Sequence, residues 1–111
     1  MNILTESLLN EMVRVIVKEI NPRKIILFGS YARGNINPNS DVDLLIIDDN
    51  PFGPGRSRRK KMGALWRSLA RFFIPIDILL YSSDEIEQWR DSKNHVIAQA
   101  IKEGRVVYEQ N

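Results

Sequence analysis

Three aspartates and one glycine–serine pair are the residues whose types and spacing could carry chemistry. Gly29-Ser30 closes an apolar run, Lys24 to Phe28, and ten residues later Asp41-Val42-Asp43 opens a second run that continues to Ile47. A third acid, Asp77, stands between Ile76 and Ile78. Side chains alternate faces along a strand, so Asp41 and Asp43 point the same way, about 7 Å apart at Cα. If the strand of Asp77 neighbours theirs in suitable register, three carboxylates share one surface. Two such charges about 6 Å apart repel by roughly 3 kcal/mol at an effective dielectric near 20. That is large beside the ~5–15 kcal/mol that stabilises a domain. Divalent cations would turn the repulsion into attraction, and hard carboxylate oxygens suit Mg²⁺.

Gly29-Ser30 supplies the complementary half. A glycine directly after a strand lets backbone N–H groups approach an anion, and the serine hydroxyl adds a donor. Neither a Walker Gly-Lys-Ser/Thr loop nor a Rossmann Gly-x-Gly-x-x-Gly is present, so any phosphate site here is of another kind.

The elements that must position these groups can be read from periodicity. Residues 3–20 predict an amphipathic helix, with Leu4, Leu8, Met12, Ile16 and Ile20 recurring every four residues and Asn21-Pro22 ending it. Residues 24–28 and 42–47 read as buried strands, joined by a Gly/Asn/Pro/Ser-rich stretch with a short helical turn near Tyr31-Ala32-Arg33. Asp48 to Gly55 is a loop by composition. A second helix is predicted over 58–72, with Met62, Leu65, Trp66, Leu69 and Phe73 on one face. Pro75 precedes a third strand, 76–81. Ser82 and Glu85 have capping-box spacing and start another helix. A last helix over 93–103 is expected to stop at a left-handed Gly104, before an edge strand at 105–108.

Bulk properties narrow the class. The 111 residues read as one domain spanning 1–111, and 43% hydrophobic with 27% charged residues is ordinary globular composition. The absence of cysteine excludes disulfides and thiolate metal sites. Neither a secretion signal nor an apolar run near the roughly 20 residues of a membrane span is read, so the expected location is cytoplasmic.

The string GSYARGNINPNSDVDLLI resembles the signature of the DNA polymerase β-like nucleotidyltransferase superfamily, and most closely its minimal nucleotidyltransferases (MNT proteins). The likeness extends to Pro75-Ile76-Asp77-Ile78 and to the closing Glu103 to Tyr108. It implies an α+β fold, a small mixed sheet flanked by helices. It further implies that Asp41, Asp43 and Asp77 hold two Mg²⁺ ions, with Asp77 also taking a proton from the attacking hydroxyl. Gly29 and Ser30 would hold a nucleoside triphosphate such as ATP, with Ser40 a further candidate. Arg33 is open between a phosphate contact and a solvated loop arginine. MNT antitoxins pair with HEPN-type ribonuclease toxins and can transfer AMP to a toxin tyrosine; the resemblance therefore implies that partner and that reaction. Transfer to a small molecule or RNA, and a non-catalytic antitoxin that covers its toxin, are the alternatives.

Outside this constellation, five of the six residues Arg56 to Lys61 are basic. They fit either a solvated helix start or a site for an anion: an acidic partner face, RNA or the nucleotide. Trp66 is expected in the core, Trp89 could anchor an interface, and His95 is expected on a helix surface.

Overall fold

In the computed structural model the described residues are 4–34, 40–92 and 95–110. The chain runs α1 (Glu6–Ile20), β1 (Lys24–Phe28), α2 (Gly29–Ala32), β2 (Val42–Asp48), α3 (Arg58–Leu69), a 3₁₀ turn (Ala70–Phe72), β3 (Ile76–Ser82), α4 (Ser83–Trp89), α5 (Val96–Glu103) and β4 (Arg105–Glu109). The four strands form one mixed sheet in the order β3-β2-β1-β4. β1 is antiparallel to both β2 and β4, whereas β2 and β3 are parallel. Parallel neighbours need a long crossover, and the segment through α3 provides it.

Local chemistry explains the helix boundaries. Thr5 caps α1 by accepting from the Leu8 N–H at 3.1 Å, and Asn21 ends it in the left-handed region at φ 46°. The capping box at α4 forms as its spacing predicts: the Ser82 hydroxyl accepts from the Glu85 N–H, and the Glu85 carboxylate accepts from the Ser82 N–H.

Alternation along the strands sorts the core into two layers. Ile25, Leu27, Val42, Leu44, Ile46, Ile76, Ile78 and Leu80 face α1 and α3, meeting Leu9, Met12, Ile16, Leu65 and Leu69. On the other face Ile26, Leu45 and Ile47 meet Ile86 of α4 and Ile97 and Ala100 of α5. Among the described residues, no helix is long and apolar enough to cross a membrane.

Several expectations need correction. Gly104 is not left-handed; its φ and ψ are −81° and 166°. A glycine is required for another reason, because a Cβ there would collide with the Ala100 carbonyl and the Ile26 side chain. Trp66 is 41% exposed and Phe73 81% exposed. At about 100° per residue, Trp66 lies some 70° from the centre of the stripe set by Met62, Leu65 and Leu69. Phe73 falls beyond the helix, at φ 53° after the 3₁₀ turn. His95 is not a helix-surface residue: its Nδ1 accepts from the Ile97 N–H and caps α5, and its ring stacks on Trp89 at 4.7 Å. The expected starts of the first helix at residue 3 and the last at 93, and the centre of the 29–40 stretch, lie outside the described residues.

Candidate active site

The acids are brought together by strand register. Asp43 and Asp77 are direct partners in the parallel β2–β3 ladder, where adjacent strands lie about 4.8 Å apart. Both belong to the row that continues as Leu45 opposite Leu79 and Ile47 opposite Tyr81, so they open on the α4–α5 side of the sheet. Asp41 lies just before β2 and is exposed, Asp77 is exposed, and Asp43 is half-buried.

From the other side Gly29 closes over Asp43. β1 pairs Phe28 with Asp43, and Gly29 turns the chain into α2 at φ +73°. A Cβ on Gly29 would overlap the Asp43 carboxylate. The absent side chain is therefore what lets the acid and the turn share one space.

The electrostatics record this proximity. Burial raises the pKa of Asp43, and the charges of Asp77 and then Asp41 raise it further, while Arg33 opposes them. Arg33 lies at the end of α2 and is ion-paired with Glu103 of α5 at 3.4 Å, both side chains being about half exposed. Ser30 sits in the first turn of α2, and Ser40 is half-buried immediately before Asp41. Register thus joins Asp43, Asp77 and Gly29, and Asp41 and Arg33 lie within electrostatic reach. Among the described residues, no three His, Cys, Asp or Glu side chains are already drawn to shared metal-ligand spacing.

The pairing of Glu103 with Arg33 is not signalled by the sequence, since seventy residues separate them. A fourth strand-end acid, Asp48, is excluded from the site. It ends β2 five residues beyond Asp43, about 17 Å away at strand rise, and is bound by Arg56 and Lys61.

Carboxylates in register across a parallel ladder, beside a glycine turn, form an acidic cluster on an α+β scaffold. Comparison with known proteins gives the family. The model of the polymerase β nucleotidyltransferase family matches residues 10–111, and the chain belongs to that family. It is a nucleotidyltransferase. A candidate protein adenylyltransferase from Methanocaldococcus jannaschii is 31% identical over 108 residues, covering 93% of this chain and 97% of that protein. The fold is shared with a crystal structure of the toxin–antitoxin MntA-HpeT in mutant form (TM-score 0.60, 16% identity, 97% of this chain and 75% of that one). It is also shared with a toxin–antitoxin crystal structure with AMP-PNP (TM-score 0.54, 19% identity, 91% and 73%).

Proposed function

We propose that residues 1–111 act as one minimal nucleotidyltransferase domain in the cytoplasm. The domain transfers AMP from ATP, with Mg²⁺ and release of pyrophosphate, to a tyrosine of a HEPN-type toxin, and so serves as its antitoxin. The observation that carries the chemistry is the register of Asp43 with Asp77 beneath the bare Cα of Gly29. Support for a protein acceptor comes from the full-length likeness to a candidate protein adenylyltransferase.

The donor set suits Mg²⁺. Carboxylates offer hard, acceptor-only oxygens, and the proton affinity of Asp43 is raised first by burial and then by the charges of Asp77 and Asp41. Asp41 and Asp43 would hold both ions and Asp77 one of them. When bound, the ions supply charge neutralisation at the reacting phosphate and lower the pKa of the acceptor hydroxyl. Asp77 takes the tyrosine proton as the phenolic oxygen bonds to the α-phosphorus. The bond from that phosphorus to the bridging oxygen breaks, and pyrophosphate leaves with the electron pair. Gly29, Ser30 and Ser40 orient the phosphates through N–H and hydroxyl donors, and Arg33, leaving Glu103, meets their charge.

The test is transfer of label from α-labelled ATP to the cognate toxin. Labelling should require Mg²⁺ and fall at least about a hundredfold in Asp77→Asn. An unlabelled toxin with the wild-type protein, or full labelling by Asp77→Asn, would overturn the reading.

A further inference from the structure

The basic run that stands out in the sequence is divided by the fold. Arg56 and Lys61 turn inward to Asp48, at 2.8 and 2.7 Å, and Arg58 pairs with Glu85. Arg59 and Lys60 point outward and form no ion pair among the described residues. They join Arg67 and Arg71, further along the same segment, and Arg14 and Lys18 on α1; all six are exposed. A shallow trough on α3 is lined by Ser57, Arg59, Lys60, Gly63 and Arg67, and a separate groove between α1 and the end of α3 is lined by Arg14, Lys18, Glu19, Ser68 and Arg71. Residues 58–72 contain six cations and no acid.

On the side of α3 away from the α1 groove, next to Arg59, stands Trp66, exposed rather than packed in the core. At helical spacing it shares a side of α3 with Arg59, Gly63 and Ala70, two of them small enough to leave its ring accessible. Four of the six cations are arginines, whose planar forks bind phosphate in a bidentate manner. Cations beside an exposed indole fit a polymer that alternates anions with flat rings. An acidic polypeptide would use the charges and leave the indole unused. A duplex would hide its bases.

We infer that the outer face of α3 binds single-stranded nucleic acid, with Arg59, Lys60, Arg67 and Arg71 on phosphates and Trp66 stacked on a base. α1 and α3 cover the sheet face of Leu44 and Ile46, whereas Asp43 and Asp77 belong to the opposite face. This site is therefore separate from the nucleotide site, and the inference does not depend on which acceptor receives AMP.

The experiment is fluorescence anisotropy of the full chain with labelled 20-nucleotide single strands of mixed sequence, one RNA and one DNA. For about four phosphates contacted, affinity should fall roughly twentyfold between 50 and 150 mM salt. R59E/R67E should weaken binding at least about tenfold, and W66A about tenfold while quenching of the indole disappears. R23E/R90E, an equal charge change at exposed positions away from this face, should retain affinity. Circular dichroism melts establish that each variant is folded. Binding of either strand type with these dependences supports the assignment. It is overturned if neither strand binds at 50 mM salt, or if R23E/R90E loses as much as R59E/R67E. It is equally overturned if polyglutamate binds as tightly as the oligonucleotides while W66A changes nothing, since the face would then read an acidic polypeptide.

Discussion

A methyl group placed on Gly29 would run into the Asp43 carboxylate, and the φ of +73° already strains any L side chain. Gly29→Ala should therefore move the turn away from the acid. Displacements of about 1 Å in such sites cost on the order of a hundredfold in rate, and that is the loss expected in AMP transfer. Asp43 offers a second test, in stability. Its pKa is raised in the folded protein by burial, Asp77 and Asp41, so the folded state holds the proton more tightly than the unfolded chain. Stability is then lost as pH rises from the ordinary value of 3.8 through the raised one, and the cost stays constant above it. Exposure of Asp41 and Asp77 screens the repulsion to about 1 kcal/mol. With a chelator at pH 7, Asp43→Asn should thus melt roughly 5 °C higher than wild type. The gain should vanish below pH 3.8, and added Mg²⁺ should raise the wild-type melting temperature far more than that of the variant.

The far end of β2 is organised by the opposite arrangement of charge. Asp48 is 3% exposed. Burial alone would push its carboxyl up, but Lys61, the Asn50 N–H and Arg56 together hold it below the usual range. Its stabilising contribution is present above the unfolded pKa and lost as pH falls through the depressed folded one. Asp48→Asn should cost about 2 kcal/mol at pH 7, less than a fully buried pair because Arg56 and Lys61 can reach water. Urea titrations should show that difference closing in acid. None of this pairing was legible beforehand, because the composition of 48–55 reads as a loop and the partners of the basic run lie on other elements. β1 and the capping box were legible, since alternation, apolar runs and cap spacing act within a few residues. The register of Asp43 with Asp77 was foreseen only conditionally, as thirty-three residues and a helix lie between them. Gly104 was misread because a left-handed cap and a crowded strand entry demand the same residue.

At the scale of the whole molecule, the sheet separates two charge environments. The acids open on one face, and six cations lie over the other, so a modest net charge of +2 conceals a strongly divided surface. Protection against hydrogen exchange should follow the sheet order. Amides of Leu44 to Ile47, in a central strand buried on both faces, should exchange slowest, and those of β4, a half-exposed edge, much faster.

Gly29, Ser30, Arg33, Asp41 and Asp43 all belong to one stretch of chain that leaves β1 and returns on β2, whereas Asp77 arrives from beyond α3. A nick in the exposed segment around Gly53–Gly55 would consequently leave the groups proposed to face the triphosphate on one fragment and the proposed proton acceptor on the other. Reassembly of the two pieces, through the seven rungs that join β2 to β3, the β1–β4 ladder and the packing of α1 on α3, would then be how a cleaved protein regained its third carboxylate.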